Sequence, residues 1–215
     1  DPMSDKYPSL SPYCYSADNP VVLVDPNGNE IRIYYKEKTG IAKFFERSKF
    51  ITYTQGMTYE GDNQFVKETV NAINYVSKGD KSNIIEQLIN NKKIVKIKNT
   101  SIGNDRYNPM TNTAYYNTQS GLECVDENGN PTGEKQTPAL GLYHELGHGH
   151  IDINMNKDEK KGFYMPDKNY DTKGEKYVIE NFETPAAKIL NEGTRNNHSG
   201  NVIKTKNSTS TEEVY

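Results

Sequence analysis

Residues 137–150 read TPALGLYHELGHGH. Thr137 is a good N-cap, and Pro138 suits the first helical position, where its missing N–H costs nothing. On a helix that starts there, His144 and His148 are four residues apart. Both imidazoles then lie on one face, within reach of a single metal ion. Glu145 is offset by one residue, so its carboxylate can flank the ion without ligating it. From that position it can take a proton from an attacking water and return it to a leaving amine. Leu140 and Leu142 give the helix apolar contacts, and Gly147 admits a close neighbour at some cost in helix propensity. The chain has only four histidines, three of them within residues 144–150, so an H-E-x-x-H pattern carries weight here. Two solvated histidines on an amphipathic helix would be the plainer alternative, one that suits histidine-rich chains better. His150, two residues past His148, points to another side of any continuing helix, and Gly149 is a candidate end of that helix. His150 is therefore read as solvated or supporting.

A catalytic zinc takes three protein ligands and keeps one position open. Three acids compete for the third place. Asp152 sits a full turn beyond His148, and its short side chain is better placed to orient that imidazole than to reach the ion. Thr184-Pro185 reads as a helix start, which leaves Glu180 in the approaching loop and sets Glu183 at the start itself. Ala187, four residues later, is small enough for close helix packing, so Glu183 is the expected third ligand. An exposed acidic helix start, favoured by the dipole alone, is the alternative. A tyrosine, Arg195 or His198 remains as donor to a developing oxyanion.

Composition limits the rest. A third of the 215 residues are hydrophobic and mean hydropathy is -0.91, so a soluble chain is expected whose core leans on its 16 tyrosines. The net charge of -3 comes from 26 basic and 29 acidic residues; it implies no cationic face, and nucleic acid is not an expected partner. No apolar run approaches a membrane span, and no signal peptide is readable at the start. Cys14 and Cys124 make at most one disulfide and no cysteine-rich metal site. Residues 31–35 and 44–53 read as strands around a Gly40 turn, 62–78 as a helix stopped by Gly79, and 81–91 as further helical chain. Residues 94–97, 114–116 and 122–125 read as strands, the last leading into an Asn128-Gly129 turn. Residues 200–215 hold few apolar side chains and are expected to fray.

Residues 1–29 differ from the rest, with five of the ten prolines and one short apolar strand, Val21 to Val24. Tyr7-Pro8-Ser9-Leu10-Ser11-Pro12-Tyr13, Asp18-Asn19-Pro20-Val21 and Asp25-Pro26-Asn27-Gly28, in that order, resemble the closing signature of the RHS repeat-associated core. The resemblance implies that residues 1–29 are the tail of a large β-rich shell, and that residues 30–215 are a variable C-terminal domain of the kind often used as toxin or effector. Within that domain, Thr137-Pro138, the His144 to His148 core, Glu183, Ala187 and Arg195 resemble peptidase family M91, a family of zincin metallopeptidases. The expected Glu-Asn pair before the arginine is here Asn191-Glu192. This second resemblance implies an α+β zincin-like fold with an active-site helix packed on a small β-sheet. It also implies zinc held by His144, His148 and Glu183, with Glu145 as general base. The implied activity is that of a zinc-dependent endopeptidase secreted or exported as part of a bacterial RHS protein. Its partners would be a protein or peptide substrate and, for a toxin, an immunity protein. A non-enzymatic interaction module with a vestigial metal site, or a zinc hydrolase of a non-peptide substrate, are the rival expectations.

Overall fold

Ile31 and Ile33 alternate with more exposed neighbours and build strand β1 (Ile31–Thr39) in a computed structural model that describes residues 30–39 and 45–214. β2 (Phe45–Tyr53) pairs antiparallel with it along its whole length. The expected turn at Gly40, the whole of residues 1–29 and Cys14 lie outside the described residues. Helix α1 (Gln64–Val76) follows, capped by the Asn63 side chain on the Val66 N–H, with Val66, Val70, Ile73 and Val76 buried at the spacing read from the sequence. α2 (Ile84–Ile89) is short, and the Asp80 carboxylate takes the N–H groups of Ile84 and Ile85 at its start.

β3 (Val95–Asn99), β4 (Arg106–Asn108) and β5 (Thr113–Tyr116) complete a five-stranded sheet in the order β2-β1-β3-β5-β4. β1, β3 and β5 are parallel, and their register sets Ile33, Ile97 and Ala114 side by side, all buried, as one row of the core. β4 runs antiparallel at the edge. β6 (Ser120–Val125), β7 (Pro131–Gln136) and the late β10 (Gly200–Lys204) form a second, antiparallel sheet in the order β10-β6-β7. The fold is therefore α+β.

α3 (Pro138–Asn154) carries the histidines through the middle of this arrangement. It is buried on most of its circumference, against α1 and the sheet on one side and the α5 region on the other. Gly149 does not end the helix. A Cβ there would stand 3.1 Å from the Tyr107 ring of β4, so the glycine serves close packing on the edge strand. A Cβ on Gly147 would come within 2.9 Å of Val178 Cγ1 and 3.0 Å of Phe182 Cδ2, so that glycine lets the next helical run press on α3.

After α4 (Lys157–Phe163) and a two-stranded hairpin of β8 (Pro166–Asp167) and β9 (Asp171–Thr172), that run spans α5 (Lys173–Val178), a π turn (Ile179–Glu183) and α6 (Thr184–Leu190) without interruption. The helix start expected at Thr184-Pro185 is thus the exit of a π turn. Proline removes one N–H and crowds the carbonyl four residues back. The chain widens instead of breaking, and the Thr184 N–H reaches five residues back to the Ile179 carbonyl.

The C-terminal segment also departs from expectation. Residues 200–204 form β10, Thr205 and Ser208 are fully buried, and the Ser208 carbonyl accepts the Ala139 N–H at 2.8 Å. The Ser208 hydroxyl and N–H both meet the Glu68 carboxylate, at 2.7 and 3.0 Å. Besides the buried Ile203 of β10, it is polar contacts that fasten this tail across the starts of α1 and α3, so few apolar residues suffice to hold it.

Candidate metal centre

The start of α3 is held from two directions. Thr137 accepts the Leu140 N–H on its hydroxyl at 3.2 Å, and Glu192, at the end of α6, takes the Thr137 N–H and hydroxyl at 2.6 and 2.9 Å. With the helix fixed, His144 and His148 bring their Nε2 atoms to 3.1 Å from each other. Both meet one carboxylate oxygen, Glu175 Oε2, at 3.0 and 2.9 Å. His198 Nε2 approaches the same oxygen at 3.3 Å, and its Nδ1 is 2.7 Å from Asp171 Oδ2. The imidazole rings of His144 and His198 lie nearly parallel, their centres 5.9 Å apart.

Glu183 stands on the other side of His144. Its Oε2 is 2.8 Å from Nδ1, the ring nitrogen turned away from His148. Arg195 grips both Glu183 oxygens, Nε to Oε1 and Nη2 to Oε2, each at 2.7 Å, and Gln136 adds a third donor at 2.9 Å. Of the three ligands expected, His144 and His148 converge while Glu183 braces His144 from behind. The carboxylate at the point of convergence is that of Glu175. The π turn accounts for both. Two α-helical turns take about seven residues, and one widened turn makes it about eight, so positions eight apart face the same way. Glu175 and Glu183 are eight apart, and they take opposite nitrogens of one imidazole.

Glu145 is half-buried in the pocket wall, and no described residue donates a hydrogen bond to its carboxylate. Asp152 lines the pocket too, but its partner is Lys160 at 2.8 Å; no hydrogen bond joins it to His148. Arg195 is committed to Glu183 and is not among the residues lining the pocket. His150 reaches Gln87 Oε1 at 2.8 Å, with the two ring planes of His150 and Phe182 nearly perpendicular, and stays out of the cluster. Glu175 and Asp171 escaped the sequence reading. The available signal was Thr172-x-x-Glu175, which reads as a capping box; Thr172 does accept the Glu175 N–H at 3.2 Å, but the glutamate side chain goes to the histidines.

Electrostatics follow from burial among charges. For Glu175, burial alone would raise the pKa, but hydrogen bonds from His144 and His148 prevail and hold the carboxyl well below its usual range. Glu183 is likewise pushed up by burial and pulled further down by the charge and hydrogen bonds of Arg195. His144 would lose its proton on burial, yet its bonds to Glu175 and Glu183 push it up to about 9. Glu145 is raised by burial, against the pull of His144 and His148. His144, Glu145, His148, Glu175 and His198 line a pocket of about 360 Å³ whose wall also takes in Asp105, Tyr107, Ile151, Phe163 and Tyr164.

Asp105 on the pocket wall accepts the Asn117 N–H at 2.7 Å. Burial nevertheless pushes its carboxyl up to about 7, with the charge of Glu145 adding to the rise. An aspartate in the unfolded chain titrates near about 3.9. Between roughly pH 4 and 7 the folded protein therefore keeps a proton that the unfolded chain has lost, and stability falls as pH rises through that window. Asp105→Asn is expected to flatten this dependence. Urea midpoints of metal-free protein at pH 5 and pH 8 check it: the variant should gain on the parent at pH 8, and equal differences at the two pH values would refute the assignment.

No family model, no curated protein and no solved structure matches this chain.

Proposed function

We propose that residues 30–215 are a zinc-dependent endopeptidase domain of zincin type. The observation that carries the reading is the meeting of His144 Nε2, His148 Nε2 and Glu175 Oε2 at 2.9–3.1 Å from one another, with Glu145 lining the same pocket. Two imidazole nitrogens and a carboxylate oxygen are a donor set suited to zinc, and a tetrahedral ion with bonds of about 2.0–2.1 Å spaces its donors about 3.3 Å apart. Glu183 behind His144 is the bracing carboxylate that ligating imidazoles ordinarily have. His144, His148 and Glu175 would hold the ion. When bound, zinc supplies a Lewis acid that polarises a carbonyl and makes water more acidic. Glu145 takes the proton of an attacking water and passes it to the leaving amine. Ile151 and Phe163 give the pocket apolar walls, and Tyr164, 68% exposed at its edge, offers aromatic surface to a bound chain.

The resemblance of residues 1–29 to the RHS closing signature supports export as the cargo of a larger bacterial protein, acting as toxin or effector on a protein or peptide substrate. The family resemblance of the His144 to His148 core supports the same reaction class. Among the described residues no helix is long and apolar enough to cross a membrane.

Purified protein grown with zinc is expected to hold about one ion per chain. Glu175→Ala and His144→Ala should lose it, whereas Glu183→Gln, which loosens a brace, should weaken affinity by roughly 10–100-fold. Incubation of the zinc-loaded protein with a proteome, read by newly formed N-termini, tests the reaction. Bound zinc without new N-termini would favour a non-peptide hydrolase or an interaction module over this reading.

A further inference from the structure

The zinc reading leaves one histidine of the cluster without a role. We infer that His198 is a fourth, displaceable donor to the same ion, closing in the ligand-free protein the position that an oxygen ligand must take. This rests on the zinc reading above and goes beyond it. The donor atoms of His144, Glu175 and His198 all lie within 4.8 Å of one another, and His198 Nε2 is 3.3 Å from Glu175 Oε2. Its other nitrogen is held by Asp171 at 2.7 Å, so the ring presents Nε2 inward as a ligating imidazole does. Asp171 makes that contact from a backbone with φ of 63°; the other described non-glycine residues with positive φ are asparagines, which tolerate it best. The hairpin thus holds an unusual conformation at the residue that aims His198.

The supports of the donors differ in kind. His144 is 4% exposed, and its brace Glu183 is locked by Arg195 and Gln136. His148 shares the same helix, and Glu175 is fixed in the first turn of α5. His198 sits instead on the loop before β10, with 32% of its side chain exposed, and its brace Asp171 is 77% exposed. Three donors stand on two packed helices, and the fourth sits on a loop braced by a residue of a surface hairpin. Four protein donors close a zinc site as in structural centres, while a catalytic site needs a free position. A donor that can swing out on its loop satisfies both. Its competitors are oxygen ligands: a carboxylate, a hydroxamate or the carbonyl of a peptide.

Cobalt(II) in place of zinc makes the donor set visible in its visible absorption, and acetohydroxamate serves as the oxygen ligand. His198→Ala should change the cobalt spectrum and lower cobalt affinity by about tenfold. It should also tighten acetohydroxamate by about tenfold or more, because no internal donor need first be displaced. Asp171→Asn, which loosens the aim without removing the imidazole, should tighten acetohydroxamate to an intermediate degree. A cobalt-loaded His198→Ala protein with the parent's spectrum and acetohydroxamate affinity would overturn the role of His198 while leaving the three-ligand site standing. If the parent protein binds neither cobalt nor zinc, the site reading falls and this inference falls with it.

Discussion

Glu145→Gln is expected to keep its metal and lose hydrolysis by about a hundredfold or more. The amide matches the carboxylate in size, so the flanking His144 and His148 stay in place, but it cannot accept a proton. The structure suits Glu145 to that task. Its carboxylate lines the pocket with no hydrogen bond from a described residue, and in the metal-free protein burial raises its pKa against the pull of His144 and His148. The other pocket carboxylates are less available: Glu175 is engaged by the histidines, and Asp152 is paired with Lys160. Asp105 is the remaining candidate, and Asp105→Asn is the control. Metal content and turnover of a substrate taken from the N-terminal map should be measured on both variants. Undiminished turnover by Glu145→Gln together with an inactive Asp105→Asn would move the base to Asp105.

Arg195→Met should destabilise the metal-free protein by about 3–5 kcal/mol, the usual consequence of stranding one partner of a buried ion pair. Glu183 is 1% exposed and Arg195 8%, with two hydrogen bonds of 2.7 Å between them. Without the guanidinium, Glu183 keeps only Gln136 and His144 as partners for a charge shut away from water. Adding Glu183→Gln to that variant should recover much of the loss, because it removes the uncompensated charge. Urea midpoints of the two single variants and the double variant measure the coupling. A single-variant loss below about 1 kcal/mol would mean that the pair is solvated in a way its burial does not suggest.

The two predictions fall on opposite sides of what could be read from the chain. Thr137-Pro138 starting a helix, and His144, Glu145 and His148 arranged along it, follow from contacts within a few residues, where helical geometry leaves little choice. The same locality made α1 and the strands β1 to β3 legible, since apolar spacing decides which face is buried. Arg195 could be singled out by resemblance, but not its partner or its burial.

Glu175 and Glu183 reach the same histidine across the π turn before Pro185, which shifts the helical phase so that residues eight apart face one way; a regular helix drawn from the sequence would separate them. His198 came in through a hairpin 27 residues earlier, whose Asp171 turns its ring. The polar tail proved ordered through Ser208 and Glu68, 140 residues apart. By itself, the sequence determined the helix and the metal-facing pair it presents. Only the tertiary structure decided which carboxylate meets that pair, because that choice depends on a local irregularity and on distant segments packing together, and neither leaves a periodic mark in the chain.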